Sequence, residues 1–198
     1  MKAGVFLDRD GVIIEDSPNY VTRREDIRLL PGAAAAIRAL NENDIPVVVV
    51  TNQSAVARGM ITEAELQCLN QRVAELLAQT GDARWDRIYY CPYHPDGVIP
   101  EYTMESDLRK PQSGMLLRAS RELGLDLPSS FMIGDKSSDI LAGERAGCHT
   151  ILVLTGPDSG SWQRWSDCRP DFIARDLGEA VRWILSQVRA RYPGRRQQ

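Results

Sequence analysis

Phe6-Leu7-Asp8-Arg9-Asp10-Gly11-Val12 is the stretch that decides how this chain folds. The apolar run from Gly4 to Leu7 reads as a buried strand, and it stops at two carboxylates and a glycine. Gly11 lets the chain turn sharply, because glycine enters backbone regions closed to other residues. The same design recurs twice. Pro46 to Val50 leads into Thr51-Asn52-Gln53-Ser54, and Phe131 to Ile133 leads into Gly134-Asp135-Lys136-Ser137-Ser138-Asp139. Polar groups at the ends of neighbouring parallel strands converge at one sheet edge, where α/β folds bind ligands. Carboxylates gathered there repel one another, so a divalent cation is expected among them. An EF-hand loop is a rival reading of Asp8 to Val12. It needs an acidic ligand where Val12 stands and a Glu at its twelfth position, and it fails.

Around these motifs, apolar runs alternate with helical patterns. Arg87 to Tyr90, Thr150 to Leu154 and, more weakly, Phe172-Ile173 complete the strand set. Behind Pro31, Ala33, Ala36, Ile37 and Leu40 fall on one helical face. Thr62 to Glu65 has the form of a capping box, followed by Leu66, Leu69, Val73, Leu76 and Leu77 at helical spacing. Ser113 is placed to cap a helix that Gly124 closes, Ile140 to Ala146 runs up to Gly147, and a last helix spans about Leu177 to Val188. The alternation predicts an α/β fold in three layers, Rossmann-like, with a parallel sheet covered by helices on both faces. The stretch from Gly156 to Pro170 reads as a surface loop. The segment between Tyr90 and Pro111 has no periodicity, and loops of that length are usually functional or disordered.

At 198 residues the chain is long enough for one well-buried domain, expected over residues 1–190, with residues 191–198 a basic, flexible tail. A formal charge of -3 and a pI near 5.5 argue against nucleic acid or an anionic membrane as partner. The apolar runs at residues 3–7 and 47–50 are too short for a signal peptide or a membrane span. Four scattered cysteines fit a reducing cytoplasm. Other hydrolase and kinase signatures are missing: Ser54 has no Gly-x-Ser-x-Gly elbow, there is no phosphate-binding Gly-x-x-x-x-Gly-Lys loop, and no Arg-His-Gly occurs. His149 reads as a structural residue, and Trp162 and Trp165 as local packing.

Taken in order, Asp8-x-Asp10-x-Val12, Thr51, Lys110, and Gly134-Asp135 with Asp139 resemble the motifs of the haloacid dehalogenase superfamily of phosphotransferases. Closer features resemble its histidinol-phosphate and heptose-bisphosphate phosphatase family. They are Asp16-Ser17-Pro18-Asn19-Tyr20-Val21, Leu30-Pro31-Gly32, Thr51 to Gly59, Tyr90-Cys91-Pro92-Tyr93-His94-Pro95, Leu108-Arg109-Lys110-Pro111 and Gly114-Met115-Leu116. The resemblance spans residues 3 to about 155. It implies a Mg²⁺-dependent phosphomonoesterase acting through an aspartyl-phosphate. The implied substrate is a small phosphorylated sugar or metabolite: the 7-phosphate of a heptose 1,7-bisphosphate, or alternatively histidinol phosphate. A catalytically silent binding subunit is a remote alternative, disfavoured because Asp8, Asp10, Lys110 and Asp135 are all kept.

By that resemblance Asp8 is the nucleophile and Asp10 the general acid and base. The metal ligands are Asp8, the Asp10 carbonyl and Asp135. The Thr51 hydroxyl and the Asn52 backbone N–H would bind the phosphoryl oxygens, and Lys110 would place positive charge beside Asp8. Asp139 would orient metal-bound water or Lys136. Asp16, Tyr20, Asn52, Gln53, Ser54, Arg58, Arg109 and Lys136 would contact the substrate, Arg109 as a planar fork suited to phosphate.

Only 43 residues separate Asp8 from Thr51, and the interval to Lys110 is also short, so no large cap domain is expected. Without a cap to bring a dimer surface, a monomer is the default. The turn Asp16 to Tyr20 is one residue longer than usual in the family. Many relatives hold the long loop with a zinc bound by Cys-x-His and Cys-x-Cys. Here Cys91-Pro92-Tyr93 and Ser106-Asp107-Leu108 occupy those positions, and one ligand of four does not make a structural zinc site.

Overall fold

The computed structural model describes residues 2–157, 160 and 162–191. Six parallel strands form its sheet: β1 (Val5–Leu7), β2 (Val47–Asn52), β3 (Arg87–Cys91), β4 (Phe131–Gly134), β5 (His149–Val153) and β6 (Phe172–Ala174), in the order β3-β2-β1-β4-β5-β6. All the strands expected from the sequence form, with ends shifted by one or two residues. The weak Phe172-Ile173 signal is the edge strand β6.

Alternation along the strands sorts side chains onto the two faces. Val5, Leu7, Val47 and Val49 face one layer, made of α1 (Ala33–Glu42), α2 (Glu63–Gly81) and α5 (Leu177–Arg191). Phe6, Val48, Val50 and Met132 face the other, made of α3 (Gly114–Leu123) and α4 (Ser137–Ala146). Both faces are covered, which is why these strands read as continuous apolar runs. Trp183 of α5 stacks on Phe172 at 4.8 Å and meets Phe131 edge-on, pinning the last helix to the sheet.

The local signals behave as their chemistry dictates. Thr62 Oγ1 accepts from Glu65 N–H while the Glu65 carboxylate accepts from Thr62 N–H, so the capping box is complete. Gly124 closes α3 in the left-handed region, with φ 65°. Ser113 does occupy the N-cap position of α3, but its side chain makes no capping bond, because its φ and ψ of -93° and 4° depart from the extended geometry that capping uses. Helix α4 starts at Ser137, earlier than Ile140. Helix α5 continues to Arg191, so the first residue of the expected tail is helical, and residues 192–198 lie outside the described residues. No described helix is long and apolar enough to cross a membrane.

Because the order reverses about β1, β2 and β4 flank it on either side. The carboxyl ends of these three strands therefore meet at a topological switch point, the usual ligand position in an open α/β sheet.

Candidate active site

Register brings the motifs together. Leu7 pairs with Val49 on one side and Ile133 on the other, so Asp8, Thr51 and Asp135 emerge within two residues of a common level. Carboxylate oxygens of Asp8, Asp135 and Asp139 lie within 4.8 Å of one another, all in buried residues. Among the described residues neither oxygen of Asp135 has a hydrogen-bond donor. The Lys136 ammonium is 3.9 Å from Oδ2. Burial, reinforced by Asp8 and Asp139, pushes the Asp135 carboxyl up to about 8. Two glycines wall it in: a Cβ would stand 2.5 Å from Asp135 Oδ2 at Gly11 and 2.0 Å at Gly156. Gly11 has the further constraint of φ +81°. A buried carboxylate without donors demands compensation. Clustered hard oxygens are what Mg²⁺ and Ca²⁺ select, so these residues fit a hard divalent cation.

Lys110 is 3% exposed, and its ammonium spends its three protons within the protein. Its neighbours are Val50 O at 2.8 Å, Asp8 Oδ1 at 3.0 Å and Asp139 Oδ1 at 2.5 Å. Burial pulls this ammonium toward neutrality, but Asp139 and Asp8 together outweigh it, and the net shift is upward. Asp8 Oδ1 also accepts from Arg9 N–H at 2.7 Å. Asp139 does meet Lys136, through the backbone rather than the ammonium. One oxygen takes Lys110, and Oδ2 accepts the backbone N–H of Lys136 at 3.0 Å. The reason is that α4 begins at Ser137, which puts Asp139 in the first turn, where a carboxylate satisfies exposed helix N–H groups. The Lys136 ammonium turns instead to Asp16 Oδ2 at 2.8 Å.

Asp10 is held apart from that cluster's contacts. Arg9 donates to it from Nε (3.1 Å) and from Nη2 to both oxygens (2.9 and 3.0 Å), and Gln53 Nε2 donates to Oδ2 at 2.7 Å. Burial raises the Asp10 pKa against the opposing pull of Arg9. Gln53 Nε2 also donates to Thr51 Oγ1 at 2.9 Å. The Asn52 carboxamide clasps the backbone of Lys110. The side chains of Gln53 and Asn52, two of the expected substrate residues, thus engage protein groups.

The remaining expected residues contact one another and the long loop. Ser54 Oγ donates to Tyr20 Oη at 3.2 Å, and Tyr20 holds a left-handed φ of 62° at the end of the Asp16-to-Tyr20 turn. Arg58 Nη2 lies 3.4 Å from His94 Nε2, and Arg109 Nη1 donates to Tyr93 O at 3.3 Å. Burial, together with Arg58, holds the Arg109 pKa below its usual value. Among the described residues neither Arg58 nor Arg109 makes an ion pair with a carboxylate.

The loop between β3 and α3 carries one short 3-10 turn, Pro100–Tyr102. Glu63, the first residue of α2, ties it down: Oε1 accepts from Tyr90 Oη at 2.7 Å and Oε2 from Tyr102 Oη at 2.8 Å. Ala57 O accepts from the N–H groups of Val98 (2.7 Å) and Ile99 (3.0 Å), joining the loop to the Thr51-to-Gly59 segment. Cys91 is buried, its thiol 3.8 Å from Tyr93 O. Sequence reading missed Glu63, Arg9, Asn70 and Gly156. Arg9 was visible between its two aspartates. Asn70 interrupts the apolar face of α2 and was the only local sign of a buried polar contact there. His149 stacks on Phe131, and Trp162 and Trp165 pack against Ile140, Leu152 and Cys168.

A haloacid dehalogenase-like hydrolase family model matches residues 5–76, and a HAD-hydrolase-like model matches residues 107–180. The chain is 41% identical, over 96% of its length and 99% of the relative's, to a D-glycero-D-manno-heptose-1,7-bisphosphate 7-phosphatase of Thermosynechococcus vestitus. It is 42% identical to the D-glycero-beta-D-manno-heptose-1,7-bisphosphate 7-phosphatase of Escherichia coli, over 93% of this chain and 88% of that one. Among solved structures, the D,D-heptose 1,7-bisphosphate phosphatase of B. bronchiseptica, complexed with magnesium and phosphate, superposes with a TM-score of 0.84. Its identity is 32%, covering 94% of this chain and 99% of that one.

Proposed function

From a chain that belongs to the heptose-1,7-bisphosphate 7-phosphatase family of haloacid dehalogenase-like hydrolases, we propose a Mg²⁺-dependent phosphomonoesterase that removes the 7-phosphate of D-glycero-D-manno-heptose 1,7-bisphosphate. The observation that carries this reading is the Asp8, Asp135 and Asp139 cluster, with the Lys110 ammonium at Asp8 and, among the described residues, no donor to either oxygen of Asp135.

Asp8 is the nucleophile. Its oxygen forms a bond to phosphorus as the ester oxygen departs, giving an aspartyl-phosphate. Asp10 gives the departing alkoxide its proton, then takes one from the water that releases phosphate and restores Asp8. Thr51 Oγ1 accepts from Gln53, which leaves its own proton to donate to a phosphoryl oxygen. The Asn52 N–H would serve the same task. Lys110 keeps positive charge beside the nucleophile while its own position is fixed by Val50 O and Asp139. The Asp8 and Asp135 carboxylates and the Asp10 carbonyl would hold the magnesium ion, whose charge lets an anionic nucleophile meet an anionic phosphate.

Among the described residues Arg58 and Arg109 stand without carboxylate partners, and they suit the second phosphate of a bisphosphate. Tyr20, Ser54, and Lys136 with Asp16 present hydroxyl and charged groups to the sugar. The test is kcat/KM with and without Mg²⁺ for both heptose 1,7-bisphosphate anomers and for histidinol phosphate, beside Asp8→Asn. Preference for a heptose anomer, with turnover lost in Asp8→Asn, supports the reading. Preference for histidinol phosphate overturns the substrate, and unchanged turnover in Asp8→Asn overturns the mechanism.

A further inference from the structure

Arg9, 1% exposed, is a fully buried charged side chain beside Asp8 and Asp10 that the mechanism leaves without a task. Every guanidinium nitrogen is committed. Nε and Nη2 grip both oxygens of Asp10, Nη2 also reaches Gln53 Oε1 at 2.9 Å, and Nη1 donates to Asn70 Oδ1 at 2.7 Å. Asn70 is itself buried in the middle of α2, on the face otherwise made by Leu66, Leu69, Val73 and Leu77. A buried charge is expensive, and an apolar side chain would fill the same space without that penalty. What an apolar side chain would not do is aim a planar fork at one carboxylate. Asp10 itself keeps a 16% exposed side chain, so the gripped group still reaches solvent.

We propose that Arg9, anchored on α2 by Asn70, is the positioning residue that fixes the plane of the Asp10 carboxylate for both proton transfers. The inference rests on the reading of Asp10 as acid and base. In the first half-reaction the Asp10 proton passes to the ester oxygen as its bond to phosphorus breaks and the Asp8–phosphorus bond forms. In the second, the Asp10 carboxylate takes a proton from water as the water oxygen bonds phosphorus and Asp8 leaves. Arg9 keeps its own protons throughout. Its work is to stop the carboxylate from rotating between the two transfers, and Gln53, bonded to both Arg9 and Asp10, completes that frame.

The experiment compares Asn70→Ala and Arg9→Lys with the parent enzyme on two esters: a simple alkyl phosphate, whose alkoxide needs a proton to leave, and p-nitrophenyl phosphate, whose phenolate does not. Phosphoenzyme is trapped by rapid acid quench. The expected result is a loss of kcat on the alkyl ester of about ten-fold or more. The burst of p-nitrophenolate changes little, and phosphoenzyme accumulates because its hydrolysis also needs Asp10. In an Asp10→Asn background, Asn70→Ala should add no further change to the alkyl-to-aryl ratio. Equal losses on both esters, with no extra phosphoenzyme, would overturn the proposal and leave Arg9 a packing residue. Should Arg9→Lys fail to fold, Asn70→Ala decides, since it keeps both charges. If Asp10→Asn itself leaves the ratio untouched, the acid–base reading has failed. If Asp10→Asn moves the ratio and Asn70→Ala does not, the positioning role alone has failed.

Discussion

The Asn52 carboxamide and the backbone of Lys110 form a two-bond ring: Asn52 Nδ2 donates to Lys110 O at 2.9 Å, and Asn52 Oδ1 accepts from Lys110 N–H at 3.0 Å. The two residues are 58 apart in sequence, and this ring joins the end of β2 to the end of the long loop. It places the Lys110 backbone so that its side chain can reach Asp8, Asp139 and Val50. Asn52→Ala removes both bonds and leaves two backbone groups unpaired, a loss of about 2 kcal/mol. Urea unfolding should show that loss, and steady-state kinetics should show a lower kcat from a loosened ammonium. Unchanged values in both would remove Asn52 from the frame.

Glu63 holds two phenols at once, Tyr90 and Tyr102, and so fastens the loop that ends in Arg109 and Lys110. Desolvation, with Glu63 as an added cause, raises the Tyr90 pKa, and the Glu63 bond raises that of Tyr102, so both stay protonated donors. Glu63→Ala should cost about 2 kcal/mol. It should also speed amide exchange at residues 92–104. Because the loop carries Arg109, KM should rise more than kcat falls. Hydrogen exchange by mass spectrometry and a two-parameter kinetic comparison check both parts.

Asp135 gives a metal prediction that needs no turnover. A ligand that binds only the folded state at a hundred-fold excess over Kd adds about 2.7 kcal/mol. For a chain of this size that is a rise in Tm of roughly 5–10 °C. Mg²⁺ should produce such a rise in the parent protein. Asp135→Asn should abolish it, and so should Gly156→Ala, whose Cβ would fall 2.0 Å from Asp135 Oδ2. Calorimetric scans with and without Mg²⁺ read the result. A full Mg²⁺ response in Asp135→Asn would place the ion elsewhere.

The cysteines should separate by reactivity. Cys68 is exposed on α2, whereas Cys91, Cys148 and Cys168 are buried. Burial pushes the Cys148 thiol up to about 12 and also raises Cys91 and Cys168. A raised thiol pKa means less thiolate, the reactive form, at any pH below it. A thiol reagent at pH 8 should therefore titrate one group quickly in native protein and four after denaturation. Cys68→Ser should remove the fast phase.

The sequence by itself determined the strands, the helices and the order of the motifs. Apolar runs such as Val47 to Val50, too short to span a bilayer, have one economical fate, burial as a central strand. Acid and hydroxyl residues at the ends of such runs must then stand at the sheet edge. That reasoning reached Asp8, Asp10, Thr51 and Asp135, because each is fixed by its own neighbours in the chain. The helix signals worked for the same reason, since the Thr62–Glu65 box is made within four residues.

Only the tertiary structure decided which partner each polar group takes. Asp139 belongs to Lys110 and the start of α4, and Lys136 to Asp16, though Asp139 and Lys136 are close in sequence. Asn70 reaches Arg9 across 61 residues, and Glu63 reaches Tyr102 across 39. Gly156 has no local signal at all, yet its missing side chain makes room for Asp135. Hydrophobic periodicity is written along the chain because burial has no direction. A hydrogen bond or ion pair needs one atom at one distance and angle, and those are set only when distant segments pack.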